Sequence, residues 1–142
     1  MAYSDNGAHE RRNVLAESRH YAPIASGAKI WAGALLMRVA GKIMPAAAGS
    51  AGADYFGVAL NEYPEGKADG SVIVEAYDDV EIRMRLAGTV SVAHLENAMY
   101  ALDDETATEA ATFGPEIGVL KEIVGPNDGW VRLRAKALDP AT

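Results

Sequence analysis

The side chains able to do chemistry in this chain are few and lie far apart. Three histidines, His9, His20 and His94, are the only groups that ordinarily titrate near neutral pH or give a nitrogen ligand to a metal. None of them has a second histidine or a carboxylate at metal-site spacing, so the sequence predicts neither a zinc site nor a catalytic imidazole. The chain contains no cysteine, which excludes thiolate ligands, cysteine nucleophiles and disulfides.

Two acidic clusters are the other candidates for a metal site. Asp78-Asp79 and Asp103-Asp104-Glu105 both lack the spaced Asp-x-Asp-x-Asp-Gly order of a calcium loop. Each cluster stands where a hairpin turn is expected, so we interpret these carboxylates as solvated turn residues. Glycine-rich phosphate loops and the Gly-x-Ser-x-Gly motif of serine hydrolases do not occur. The sequence therefore predicts no metal, no cofactor and no enzymatic activity.

Charge and hydropathy limit the partners of the protein. A chain of 142 residues fits a single domain that buries about 70% of its unfolded surface. Thirteen basic and 20 acidic residues give a net charge of −7, which argues against binding to nucleic acid. The most apolar run, residues 30–37, is eight residues long, whereas a membrane-spanning helix needs about 20. We expect no contact with nucleic acid or membrane.

The elements that would position any site are short strands. Residues 80–86 alternate strictly between apolar and charged side chains, as a half-buried strand does. Residues 71–77 are rich in β-branched side chains, and residues 130–135 alternate again. Turn residues separate these runs, which favours a small β-barrel or sandwich.

A repeat is visible within the chain. Gly57-Val58-Ala59-Leu60 in the first half returns as Gly118-Val119-Leu120 in the second. Residues 35–77 and 99–135 share the same order of strands and turns, so the sequence predicts two pseudo-repeated strand units. One short helix, residues 92–96, should lie between them, with Ser91 as its N-cap and Asn97 in the left-handed conformation that ends it.

The first 24 residues are polar, with Val14 and Leu15 as the only bulky aliphatic side chains before Ile24. They predict an extended N-terminal arm (1–24), followed by a β-rich domain (25–137) and a C-terminal tail (138–142). The arm is interpreted either as a disordered terminus or as a segment that orders against a partner. In the second case Tyr3, Val14, Leu15 and Tyr21 are its anchors.

Several stretches resemble one family. They are residues 24–36, 45–49 and 56–60, and later residues 95–104, 117–120 and 130–133. Over about residues 24–135 the sequence resembles the head decoration proteins of tailed phages, also called capsid cement proteins. Asn97 stands where such proteins commonly have glycine.

This resemblance implies a small β-tulip-type domain, usually a homotrimer. It would sit on the outer surface of the phage head at three-fold and quasi-three-fold positions and fasten subunits of the major capsid protein. The protein would be made in the host cytoplasm and end in the virion. We expect two sets of contact residues: capsid-facing anchors at Tyr3, Val14, Leu15, Tyr21 and Ile24, and trimer or core strand residues at Ile30, Trp31, Leu35 and Met37.

Two other classes of protein stay open. Residues 27–35 resemble the rising strand of lipoyl and biotinyl carrier domains, with Lys42 as the candidate modified lysine. A modified lysine would appear in the intact mass of the protein. A carbohydrate-binding β module would instead use Trp31 or Trp130 as a stacking platform, which a glycan-induced change in fluorescence would reveal.

Overall fold

The structure is a computed structural model that describes residues 11–12, 18–47, 53–88, 91–110 and 114–134. These residues form β-strands and almost no helix, which confirms the predicted mainly β class. The strands are β1 (Arg11–Arg12), β2 (Ser18–Pro23), β3 (Leu35–Val39), β4 (Lys42–Pro45), β5 (Asp54–Ala59), β6 (Ile73–Asp78), β7 (Glu81–Leu86), β8 (Ala98–Ala101), β9 (Thr106–Thr108), β10 (Glu116–Gly125) and β11 (Asp128–Leu133).

The second half of the chain, β7 to β11, closes into a five-stranded barrel, here called the C-terminal unit. Its strands are paired in the order β7-β11-β10-β8-β9, and β9 returns to pair with β7 in parallel. The alternation in the sequence explains β7, because Ile82, Met84 and Leu86 are buried while Arg85 is exposed. The short strand β1 pairs with the other end of β7, at Ile82 and Glu81.

The first half, β2 to β6, repeats this arrangement and is called the N-terminal unit. Its sheet has the order β2-β6-β5-β3-β4, and a parallel bridge between Ile24 and Ile43 brings its two end strands together. This order matches that of the barrel strand by strand: β2, β6, β5, β3 and β4 correspond to β7, β11, β10, β8 and β9. The predicted pair of pseudo-repeated units is therefore confirmed.

The two units also match in register, residue by residue. In the N-terminal unit Leu36 pairs with Gly57, and a one-residue irregularity follows. In the C-terminal unit Met99 pairs with Gly118, beside the same irregularity. Both glycines have positive φ, 147° at Gly57 and 158° at Gly118. Residues that occupy the same place in this register are called repeat-equivalent below.

A matched pair of hydrogen bonds extends the repeat to the turn before β3 and β8. Ala59 accepts from the Gly33 N–H, and Leu120 accepts from the Glu96 N–H, at 2.9 and 2.8 Å. Gly33 and Glu96 both have positive φ, 90° and 68°. The left-handed residue is thus Glu96 and not Asn97 as predicted. The predicted helix before it is a single 3-10 turn, Val92–His94.

Two apolar clusters form the core. One lies inside the N-terminal unit and includes Ile24, Leu36 and Phe56. The other fills the barrel and also takes in Ala46 and four strand residues of the N-terminal unit. These four strand residues, Leu35, Tyr55, Val58 and Tyr77, are here called the joint face. The Leu35 N–H donates to the carbonyl oxygen of Asp104, 2.8 Å away. The joint face therefore holds the two units together.

The structure differs from the predicted arm. Ser18–Pro23 is strand β2, which pairs with β6 from Ser18–Asp78 to Pro23–Ile73. The expected boundary at residue 24 thus cuts through the N-terminal unit. A polar sequence was compatible with a strand because its outward side chains, Arg19 and Tyr21, are exposed and its inward ones are only half-buried. The proposed tail, 138–142, lies outside the described residues.

Residues 30–37 are also not one continuous strand. Ile30 forms an isolated bridge with Tyr63, and a turn at Ala32 and Gly33 follows before β3 begins at Leu35. The apolar run in the sequence therefore covers two separate pieces of backbone, since Gly33 adopts a left-handed conformation between them.

Arg83 and Asp128 join β7 to β11 through a side-chain ion pair. The guanidinium donates from Nε to both carboxylate oxygens and from Nη2 to Oδ2, at 2.6 Å for the shortest contact. The hydrogen bonds from Arg83 lower the pKa of Asp128 below its ordinary value, although partial burial opposes this shift. Both side chains keep more than a third of their surface exposed, so solvent screens the pair.

We expect Asp128→Asn to lower the free energy of unfolding by about 1 kcal/mol or less at pH 7. The pKa of Asp128 is lower in the folded state, so its contribution is present above the unfolded pKa and is lost as pH falls through the folded pKa. Urea denaturation of both proteins from pH 7 to pH 3 would measure this. The matched control is Asp54→Asn, since Asp54 is 57% exposed and lies 3.6 Å from Arg38. A stability difference for Asp128→Asn that stays constant down to pH 3 would contradict the prediction.

Candidate interaction surface

An apolar patch lies on the outer face of β2 and β6. Tyr21 is 62% exposed and Ile73 is 56% exposed, the highest values among the large apolar side chains in the described part of the chain. Tyr21 pairs with Glu75, and Pro23 pairs with Ile73, so Tyr21, Pro23 and Ile73 are neighbours on one side of the sheet. These three residues are called the outer patch.

A polar network fixes the outer patch from below and beside it. Glu75 Oε2 accepts from the Tyr21 hydroxyl at 3.2 Å and from Arg19 Nη1 at 3.1 Å. The Tyr63 hydroxyl donates to the carbonyl oxygen of Ile73 and accepts from the Glu75 N–H, at 3.3 and 3.4 Å. An aromatic ring in a fixed position with charged groups at its rim is typical of protein interaction sites.

The predicted capsid-facing anchors have different places in the structure. Tyr21 is on the surface, as an anchor must be. Ile24 is fully buried in the core of the N-terminal unit, where it bridges to Ile43, so it is not available to a partner. The prediction for Ile24 is corrected, because its side chain is packed in the core while its backbone bridges to Ile43. Tyr3, Val14 and Leu15 lie outside the described residues.

The predicted strand residues are mostly internal to the subunit. Ile30 and Leu35 are fully buried, in the core of the N-terminal unit and in the joint face, and Met37 is 3% exposed. Trp31 is half-buried. The burial of Ile30 and Leu35 arises within one chain, since each belongs to an apolar cluster of that chain.

Polar groups are buried where β6 passes into the barrel. The Tyr55 hydroxyl is buried next to Asp78, and burial together with that carboxylate raises the pKa of Tyr55 well above its ordinary value. His20 Nε2 lies 3.9 Å from Asp78 Oδ2, and its ring meets the Phe56 ring edge-on at 6.1 Å. The buried Tyr55 hydroxyl therefore stays neutral near pH 7.

The other candidates from the sequence are His94, His9 and the acidic clusters. His94 Nδ1 accepts from the Ser91 N–H at 2.8 Å, and its Nε2 lies 3.4 Å from Glu109. His9 lies outside the described residues. Within the residues that the structure describes, no three histidine and acidic side chains meet as metal ligands. The acidic clusters are less solvated than predicted, because Asp78 is 2% exposed and Asp104 is 3% exposed.

The residues behind the two alternative functions have clear positions. Lys42 follows the tight turn at Ala40 and Gly41, and its ammonium lies 3.1 Å from Asp69 Oδ2. Lys42 therefore lies in a hairpin, and its ammonium group forms an ion pair with Asp69. Trp31 and Trp130 are both half-buried.

The sequence predicts Tyr21 as a contact residue but gives no indication of Ile73. Ile73 stands in a run of β-branched residues, where all side chains look alike in the sequence, and only the register shows that Val74 points inward and Ile73 outward. Among the described residues, no helix is both long and apolar enough to span a bilayer. Comparison with protein-family models and with curated proteins gives no match.

Proposed function

We propose that this protein is a capsid decoration protein: a non-enzymatic, homotrimeric virion component that binds the outside of a phage head and stabilises the shell of major capsid protein. The observation that carries the proposal is the outer patch, an exposed apolar surface on a rigid sheet. Its central residue, Tyr21, is one of the anchors expected from the resemblance to decoration proteins.

The physical argument rests on repetition of a modest contact. Two exposed apolar side chains, Tyr21 and Ile73, would each add about 1 to 2 kcal/mol to binding when a partner covers them. One such site is weak. Three linked copies in a homotrimer raise the apparent affinity through effective concentration, provided that the capsid presents matching positions at its three-fold and quasi-three-fold axes.

Charge supports a position outside the shell. A net charge of −7 disfavours contact with packaged DNA, since its phosphates would repel the protein. The Arg19–Glu75 pair beside the patch supplies both signs of charge for polar contacts at its edge. The major capsid protein and further copies of this chain are thus the partners in this proposal, with neither nucleic acid nor membrane among them.

The test is a pelleting assay with decoration-free phage heads and the double variant Tyr21→Ser/Ile73→Ser. We expect at least a tenfold loss of apparent affinity for heads, because about 1.4 kcal/mol corresponds to a factor of ten and two anchors are removed. The control is Val124→Ser, which removes an apolar side chain that is 45% exposed but lies on β10, away from the patch.

Tyr21 and Ile73 are both exposed, so we expect the double variant to fold. Circular dichroism of each variant verifies that its sheets are intact. Wild-type protein that stays in the supernatant at every concentration would overturn the proposal. If the double variant binds heads as tightly as Val124→Ser does, the outer patch is not the capsid-binding surface.

A further inference from the structure

Strand β1 is an addition to the repeated plan of the two units. The five strands of the N-terminal unit correspond to β7 to β11, and among the described residues that unit has no equivalent of β1. Its end strands still meet, because the Ala25 N–H donates to the carbonyl oxygen of Ile43 at 2.9 Å. The matching bond in the barrel runs from the Ala87 N–H to the carbonyl oxygen of Ala107, at 2.8 Å. Closure of the barrel therefore does not require β1.

The place of β1 is that of a peptide bound to a sheet edge. Its two residues pair antiparallel with Glu81 and Ile82 of β7. The other side of β7 is taken by β11, and β9 pairs with β7 only further along, at Arg85 and Leu86. Addition of an extended strand to a sheet edge is a common way in which proteins bind peptides. Strand β1 thus lies on β7 as a short peptide ligand would.

The edge of β7 is acidic, and the strand that occupies it is basic. Asp78, Asp79 and Glu81 stand at the start of β7, whereas both residues of β1 are arginines. Asp78 is 2% exposed and Glu81 is 8% exposed, so water screens their charges less than it screens surface charges. Arg132 is the cross-strand neighbour of Glu81 on β11, yet acidic groups outnumber basic ones here. Coulomb attraction therefore favours a basic strand at this edge.

The pairing of β1 with β7 is short enough to be reversible. Two paired residues gain little net free energy from backbone hydrogen bonds, and ordering them costs conformational entropy of similar size. Elements with so few contacts are the ones that open locally in native proteins. Residues 13–17 connect β1 to β2, so a released β1 stays tethered close to the edge at a high effective concentration.

We propose that the edge of β7 at Glu81 and Ile82 is a binding site for an extended peptide segment with two adjacent basic residues, and that Arg11–Arg12 occupies it as a reversible internal ligand. A segment of the same character on another chain competes with β1 for this edge. The inference is independent of the proposed decoration function, because the outer patch lies on β2 and β6 and takes no part in the site.

Peptide binding to the full-length chain tests the site. The probe is a fluorescein-labelled peptide with the sequence of residues 8–15, and its fluorescence anisotropy reports binding. In the wild type the tethered β1 competes with the probe. In the variant Arg11→Glu/Arg12→Glu the internal strand is repelled by the acidic edge and leaves it to the probe. We expect this variant to bind the probe at least about tenfold more tightly than the wild type does.

The matched control is Arg38→Glu/Lys67→Glu, which changes the net charge by the same amount but on β3 and in the loop before β6. It should bind the probe no more tightly than the wild type does, which separates the site from general attraction between a basic peptide and a more acidic protein. A probe in which both arginines are replaced by glutamate should bind none of these proteins. Circular dichroism verifies that each variant is folded.

A milder variant, Arg11→Ala/Arg12→Ala, keeps the test valid if charge reversal disturbs folding. It removes the two positive charges without adding negative ones, so we expect a smaller gain in affinity for the probe, at least about threefold. Equal affinities of the wild type and both arginine variants for the probe would overturn the proposal. An equal gain for Arg38→Glu/Lys67→Glu would overturn it as well.

Discussion

Gly118→Ala is expected to destabilise the protein by about 3 kcal/mol or more, which lowers the melting temperature by roughly 10 °C. A methyl group on Gly118 would lie 1.7 Å from the carbonyl oxygen of Arg132, which is well inside van der Waals contact. That oxygen belongs to the backbone of β11, paired with β10, so it cannot move without breaking the barrel. The φ of 158° at Gly118 adds strain for any other residue.

Thermal unfolding followed by circular dichroism measures this effect. Gly88→Ala is the control, because Gly88 also has positive φ, 75°, but no atom lies within 4 Å of the added methyl group. It should cost only the backbone strain of about 1 to 2 kcal/mol. Gly57→Ala should fall between the two, since its nearest neighbours are 2.9 Å away. Equal melting temperatures for Gly118→Ala and Gly88→Ala would contradict the prediction, because they would mean that the backbone of β11 shifts to accommodate the methyl group at little cost.

The same substitution at two repeat-equivalent positions should destabilise the protein by very different amounts. Val58 is fully buried in the joint face, so Val58→Asp places a carboxylate in an apolar cluster and should cost more than about 4 kcal/mol, enough to unfold much of the protein. Val119 is partly exposed, so Val119→Asp should cost the single chain about 1 kcal/mol or less and leave it folded.

Urea denaturation monitored by tryptophan fluorescence distinguishes the two variants. Val119→Asp should keep a cooperative transition, whereas Val58→Asp should have lost most of its folded signal before urea is added. Val124→Asp serves as the surface control, because Val124 is 45% exposed on the same sheet as Val119. Similar transitions for Val58→Asp and Val119→Asp would mean that the joint face does not carry the stability assigned to it.

The repeat was predictable because two positions kept their residue types. Gly57-Val58 and Gly118-Val119 mark the same point of the register, where a side chain at the glycine would collide with the neighbouring strand. The start of each unit was not predictable in this way. The expected halves began at residues 35 and 99, whereas the units begin at β2 and β7. Closure depends on parallel contacts such as Leu86 with Ala107, and no periodicity in the sequence encodes them.

The candidate site was predictable only in part. Tyr21 stands out as an aromatic residue in a polar stretch, and it is exposed. Ile24, three residues later, looked equivalent in the sequence but lies in the core, because its place beside Ile43 depends on the path of β4.

The matched backbone of the two units also bears on how such a chain diverges. Main-chain hydrogen bonds constrain where a residue lies and leave its side chain free, so Tyr77 and Arg132 occupy one position in two copies of the same plan. Tyr77 is buried in the internal joint, whereas Arg132 is charged and partly exposed. One repeated backbone plan can thus carry two unlike surfaces, which gives a single chain two different ends without a second fold.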